Sequence, residues 1–206
     1  MQRASLTYRL TGVGLVMILA GAILILRHFH PSVPLTAVDL TKSKGLARAA
    51  VQIIEFSDFE CPACRAAQQA LSELTRLYPE KVRIIFQHFP LEGHRWSPLA
   101  HQAAECAAEQ NRFWPYHDRL YAEQATWSVA GTNPLENFLR YAKEAGMDLD
   151  RFSLCLGEGH YAQQRIRQEK ATGVGLGVRS TPSFFVNGKM VVGFQTLKQE
   201  VEKALQ

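Results

Sequence analysis

Apolar and polar positions follow different patterns along this chain, and each pattern predicts a different element. Leu10 to Leu26 is continuously apolar, broken only by Thr11 and three glycines, with no polar face. As a helix it spans roughly 25 Å, the short end for a bilayer crossing. Ala49–Phe56 (AAVQIIEF) is short, β-branched and nearly unbroken, the pattern of a buried strand. A turn at Ser57-Asp58-Phe59-Glu60 follows, then a helix from Cys61-Pro62 to about Tyr78. Leu71, Leu74, Leu77 and Tyr78 form its apolar stripe, and Pro79 ends it. Val82–Phe89 predicts a second strand.

From residue 97 to 178 the period becomes helical. The expected helices are Pro98–Gln110, Trp114–Gln124, Pro134–Ala145, Arg151–Leu156 and a longer one from His160 to about Thr172. Ser183–Val186 then predicts a strand, Asn187-Gly188 a tight hairpin turn, Met190–Val192 the return strand and Thr196–Leu205 a closing helix. A strand–helix–strand start and a hairpin finish make a mixed α/β sheet, with the helical block inserted between the halves. The expected division is an anchor or signal segment at 1–30, a tether at 31–48 and one domain at 49–206, with the insertion at about 97–178.

Charge sharpens the N-terminal picture. The 206 residues carry 23 Lys and Arg against 19 Asp and Glu, a net charge of +4. No acidic residue precedes Asp39, and Arg3, Arg9 and Arg27 flank the apolar run. Without those three, 20 basic side chains face 19 acidic ones, so the remaining chain is nearly neutral and lacks the basic footprint of a nucleic-acid binder. The arginines ahead of the run favour an inside N-terminus. The expectation is an uncleaved anchor. A cleaved signal segment, with Ala20-Gly21-Ala22 as its site, is the alternative, although Ile23–Leu26 then makes an odd mature terminus.

The candidate chemistry lies in Cys61-Pro62-Ala63-Cys64, at the strand-to-helix junction. The reactive form of cysteine is the thiolate, and a helix N-terminus stabilises it with partial positive charge and free N–H groups. Cys61, at the cap position, is the expected nucleophile, and Cys64, one turn in, the resolving thiol. Pro62 favours the helix start and stiffens the loop. Glu55 lies six residues before Cys61 in an apolar strand. Burial there raises a carboxyl pKa and suits it to take the Cys64 proton; a strand-end glutamate facing solvent is the alternative. Half of a zinc site needs a second close ligand pair, which the separated Cys106 and Cys155 do not supply. His94 and His101, seven apart, have the spacing of one helix face near Cys106, but no metal and no cofactor is expected. His117 is expected to pack or to bond between helices. Phe59, Trp96, Phe184 and Phe185 are candidates for an apolar rim, with core packing the default for the last two.

These residues resemble the DsbA-like branch of the thioredoxin superfamily over roughly 49–205. Glu55 to Cys64 (EFSDFECPAC) looks like that family's active-site strand and helix start, and Val178 to Gly188 (VRSTPSFFVNG) like its cis-proline strand. Ala103-Ala104-Glu105-Cys106-Ala107 and Phe113-Trp114-Pro115-Tyr116-His117-Asp118 are typical of its helical insertion. The resemblance implies a thioredoxin-like α/β fold with an inserted helical subdomain, here preceded by one N-terminal transmembrane helix. It implies a cis Thr181–Pro182 bond facing the dithiol, with Thr181 and Pro182 docking an extended substrate. Some relatives carry a second cysteine pair in the insertion, so Cys106 and Cys155 are expected to form a structural disulfide, with a redox relay or free thiols as alternatives.

The implied activity is extracytoplasmic thiol:disulfide exchange on cysteine-containing proteins, most simply their oxidation. The implied partner is a membrane redox protein, a quinone-linked disulfide generator or an electron donor. A tethered reductase or isomerase, or a chaperone-like peptide-binding module, are the alternatives. The sequence departs from the family's best-known oxidase, which has Pro-His between its cysteines. Ala63 offers the thiolate neither charge nor a side-chain hydrogen bond.

Overall fold

The apolar runs at Val51 and Val82 become the centre of a mixed sheet in a computed structural model, which describes residues 42–206 except 130 and 132. The expected membrane helix lies outside the described residues. Among the described residues no helix is long and apolar enough to cross a membrane. In chain order the elements are β1 (Ser43–Lys44), β2 (Val51–Ser57), α1 (Pro62–Leu77), β3 (Val82–His88), α2 (Ser97–Ala108), α3 (Phe113–Ala122), α4 (Gln124–Trp127), α5 (Leu135–Glu144), α6 (Leu149–Glu158), α7 (His160–Gly175), β4 (Ser183–Val186), β5 (Lys189–Val192) and α8 (Phe194–Ala204).

The strand order is β1-β3-β2-β4-β5. β2 and β3 run parallel around α1, while β4 lies antiparallel to β2 and pairs with β5 as a hairpin. The hairpin turn needs positive φ at both central residues, which Asn187 (φ 47°) and Gly188 (φ 88°) supply. Asn187 also joins the turn to β2: its amide donates to Ala50 O at 3.0 Å and accepts from Gln52 N at 2.9 Å.

Both central strands are buried along almost their whole length, so both sheet faces are covered. Val51, Ile53, Ile84, Phe184 and Val186 pack under Ala67, Leu71 and Leu74 of α1 and Leu197 and Val201 of α8. On the other face Ile54, Phe56, Ile85 and Phe185 pack with Phe89 and Val178. Gly173 of α7 lies against this face so closely that a Cβ would stand 2.8 Å from the Phe56 ring. The helical insertion has its own core, including Phe113, Tyr116, Trp127, Phe138 and Phe152, and it reaches the sheet through Phe59 and Phe86. Cys106 and Cys155 are bonded to each other and tie α2 to α6.

Three expectations differ from the structure. Residues 43 and 44, placed in the tether, pair antiparallel with β3, and Lys42 is fully buried. A two-residue strand has no period to read, and its pairing is decided by distant residues. Gly45 (φ 103°) makes this approach possible, since a Cβ there would lie 2.4 Å from Val82 O. The helix expected at Trp114–Gln124 ends at Ala122, and a separate turn of helix, α4, follows. The helix expected at Arg151–Leu156 is longer, because Asp148 caps it by accepting from Arg151 N at 3.0 Å.

Candidate active site

β2 ends where the chemistry begins. Glu55 is paired across the sheet with Phe86 and Phe184 and is fully buried. After Ser57 the chain turns, and α1 starts with Cys61 at its N-cap and Pro62 inside the first turn. Both cysteines are free thiols. Cys64 is fully buried, while Cys61 keeps 7 % of its surface exposed. Cys61 is therefore the sulfur a partner can reach.

The two thiols are displaced in opposite directions. Cys61 is drawn down to about 5, first by the Cys64 S–H, then by the Thr181 side chain and the backbone N–H groups of Cys64 and Ala63, against the effect of burial. The helix N-terminus thus supplies donors that the Ala63 side chain cannot. Burial pushes Cys64 well above the ordinary thiol range, and the charge on Cys61 adds to this; the Asp58 N–H and the Ser57 hydroxyl work the other way. Burial also raises Glu55, opposed by His117, Ser57 and Gln68. The Gln68 amide donates to Glu55 Oε1 at 2.8 Å, and Ser57 Oγ and Tyr121 OH share a hydrogen bond of 2.8 Å. Glu55, Ser57, Cys64 and Tyr121 therefore form one buried group beneath the helix start.

The Thr181–Pro182 peptide is cis. It brings Thr181 O to 3.6 Å from Cys61 Sγ, which donates to it. The Pro182 carbonyl accepts from Gly193 N at 3.3 Å, fixing this loop to the start of α8.

Several residues that shape the site gave no distinct signal in the sequence. Gln124 of α4 donates to Phe59 O at 2.7 Å and to Cys61 O at 3.0 Å, so the insertion holds the active-site turn. Glu60 accepts from Trp96 N and Ser97 N, both at 2.7 Å, and thereby caps α2 from another element. Asp58 receives donors from both the loop after β3 and α2. An acid beside a C-x-x-C motif is the available hint, but its partners Leu91, His94 and Ser97 lie more than 30 residues away.

Other expected residues are placed differently. His94 precedes α2, in the loop after β3, so it shares no helix face with His101. Its ring donates to Asp58 Oδ2 at 2.8 Å. Cys106 is taken up by its disulfide. Among the described residues no group of three or more His, Cys, Asp or Glu is arranged to hold a metal ion. Phe59 is no rim residue: it is fully buried and stacks on Phe86 with ring centroids 5.1 Å apart. Trp96 is partly exposed under the Arg95 guanidinium, and Phe184 and Phe185 are core. His117 packs among Phe59, Phe86, Trp114 and Tyr121 and bonds Asp118 at 2.8 Å.

Residues 40–206 match the family model described as thioredoxin. A thioredoxin-like oxidoreductase from Silicibacter pomeroyi is 28% identical, with a TM-score of 0.67 over 81% of this chain and 93% of that one. BdbD from Bacillus subtilis is 20% identical and shares the fold, with a TM-score of 0.73 over 84% of this chain and 96% of its own. Among curated relatives, the Na(+)/H(+) antiporter NhaA 3 of Salinispora tropica is 40% identical over 152 residues, 73% of this chain but only 22% of the antiporter. The chain thus spans less than a quarter of the length of the first curated relatives it matches. With a dithiol at the helix start, a cis-proline facing it and a helical insertion above, the chain belongs to the thioredoxin family.

Proposed function

We propose that this protein is a thiol–disulfide oxidoreductase of the DsbA-like type, which oxidises cysteine pairs in protein substrates outside the cytoplasm and is held at the membrane by its N-terminal apolar run. The opposite displacement of the two thiols carries this reading. Cys61, drawn down to about 5, is a thiolate at neutral pH and a good leaving group. A disulfide whose reduced form is stabilised in this way is oxidising.

The exchange starts from the Cys61–Cys64 disulfide. A substrate thiolate attacks Cys61 Sγ, the Cys61–Cys64 bond breaks, and Cys64 leaves. Cys64 is strongly disfavoured as a thiolate, so it takes a proton, and Glu55, whose pKa burial raises, is the proposed donor. A second substrate thiolate then attacks the substrate sulfur of the mixed disulfide, and Cys61 departs as a thiolate. The substrate loses two electrons and gains a disulfide, and the enzyme is left as the dithiol. The exchange requires no bound cofactor. An extended substrate chain docks beside the cis Thr181–Pro182 loop, within reach of Cys61.

Reoxidation falls to a membrane redox partner, by family expectation a quinone-linked disulfide generator. The Leu10–Leu26 run supports the membrane location and the Cys106–Cys155 disulfide supports an oxidising compartment. The reduction potential of Cys61–Cys64, measured on the full chain in glutathione buffers, tests the direction. A value above about −180 mV is expected and makes the protein a disulfide donor. A value near or below about −250 mV assigns it to reduction and makes its membrane partner an electron donor.

A further inference from the structure

Asp58 is buried, yet its carboxylate is fully partnered. Oδ1 accepts from Glu60 N at 2.9 Å and from Ser97 Oγ at 2.7 Å. Oδ2 accepts from Leu91 N at 2.7 Å and from the His94 ring at 2.8 Å. His101 Nε2 stands 3.6 Å from Oδ1. Burial raises the Asp58 pKa, but these donors outweigh it and hold the carboxyl well below its usual range. The group is a fixed anion.

The same residue touches both cysteines through its backbone. Its carbonyl accepts from Cys61 N at 3.1 Å, and its N–H donates to Cys64 Sγ at 3.4 Å. Behind it lies a buried chain of charge. His101 and His88 meet through their Nδ1 atoms, with one ring donating and the other accepting. His88 faces Glu105, which pairs with Lys42 at 3.0 Å and with Arg165 at 2.7 Å. Lys42 also pairs with Glu169, whose other oxygen accepts from His88 N at 2.7 Å. Linked bonds of this kind reinforce one another in a low-dielectric interior and fix one geometry.

We propose that Asp58 is a positioning residue for disulfide exchange: its carboxylate, gripped by Leu91, His94 and Ser97, aims its own backbone N–H at the Cys64 sulfur and stabilises the Cys64 thiolate. This rests on the reading of Cys64 as the resolving thiol. Charge and position make opposite demands here. The Asp58 negative charge alone disfavours a nearby thiolate, whereas the N–H favours it. Removing the charge therefore separates the two. Asp58→Asn keeps an acceptor for Glu60 and Ser97 but presents an amide to Leu91 N–H and His94, so the grip loosens.

The test uses the reduced full chain and glutathione disulfide. Cys61 attacks the reagent, one glutathione thiolate leaves, and a Cys61–glutathione mixed disulfide forms. Cys64 then attacks Cys61 Sγ, the Cys61–Cys64 bond forms, and the second glutathione thiolate is expelled. The enzyme loses the two electrons that the reagent gains. In the mixed disulfide Cys61 carries no charge, so the pH at which the second step levels off reports Cys64, faced there by Ser57, Glu55, Tyr121 and the Asp58 N–H.

In Asp58→Asn the levelling-off is expected to move up by about one pH unit with the plateau retained, which makes release roughly tenfold slower at pH 7. A downward move means that charge dominates and overturns the proposal. A lower plateau with an unmoved pH, or no change at all, also overturns it, because a purely structural role gives the first and no role the second. Where Asp58→Asn does not fold, Ser97→Ala, which removes one of the donors, carries the same measurement with an upward move worth about twofold at pH 7. Cys64→Ser keeps the two readings apart. It should stop at the mixed disulfide; release from it overturns the cysteine roles and this proposal together, while arrest with an unmoved Asp58→Asn profile overturns this proposal alone.

Discussion

The molecule holds two cysteine pairs of the same chemistry in opposite states. Cys61 and Cys64 are free thiols three residues apart, and Cys106 and Cys155 are bonded across a separation of 49 residues. Burial does not separate them, since Cys61, Cys64 and Cys106 are all buried. Position on the helix does. Cys61 caps the N-terminus of α1, where unpaired N–H groups and the helix dipole favour S⁻. Cys106 lies in the last turn of α2, where the dipole has the opposite sign and no donors remain. The first pair also faces Thr181, whereas the second joins two helices of the insertion. Reactivity is thus assigned by the surrounding backbone, and the thiol itself is the same.

Deleting each pair in turn gives the largest expected contrast. Cys61→Ser should lower exchange on a reduced cysteine-containing peptide by at least about a thousandfold, because the reachable sulfur is gone. Replacing Cys106 and Cys155 together by alanine should leave the exchange step in place and cost about 2–4 kcal/mol of stability in urea unfolding. If the double variant loses exchange while still folded, the second pair is a relay and the contrast fails.

A pH series on the reduced protein sharpens the comparison. Cys61 is lowered from the ordinary 9.0 to about 5, so its thiolate stabilises the fold fully above the unfolded value, and that stability is lost as pH falls through about 5. Thiolate absorbance should disappear in the same window. The urea midpoint of the Cys61→Ser protein should lack this component. A titration near 9 would show that the helix terminus does not act on Cys61.

The smallest expected effect belongs to Glu55. Burial raises its pKa above the ordinary 4.5, so the cost of ionising it in the fold is absent below that value and grows as pH rises through the folded one. Glu55→Gln should therefore be more stable than the parent above neutrality, by on the order of 1 kcal/mol, with the difference vanishing below about pH 4.5. It should also slow release of Cys64 in the exchange. Equal stability at all pH values would mean that the carboxyl meets water in the fold.

Much of this was legible in the sequence. The strand at Val51, the helix from Pro62 and the hairpin at Asn187-Gly188 follow from local periods and turn residues, and they recur in the structure within a few residues. Cys61 and Cys64 were legible because their spacing and their place at a strand–helix junction are local facts. Phe59 misled because an aromatic beside an exposed cysteine suggests a rim, while its ring turns inward onto Phe86. His94 and His101 misled because a spacing of seven implies a shared face only if both residues are helical, and His94 is not.

The sequence by itself determined the order of elements, the strand–helix junction and the place of two cysteines at the helix start, because hydrophobic period, proline, glycine and cysteine spacing all act within one turn or one strand. Only the tertiary structure decided that Lys42 is a buried cation between Glu105 and Glu169, that Gln124 and Glu60 tie the insertion to the active-site turn, and that Asp58 reaches Leu91, His94 and Ser97. Each of those residues is polar and unremarkable in its local pattern. Burial makes each of them consequential, because a polar group removed from water must find its partners wherever the fold has brought them.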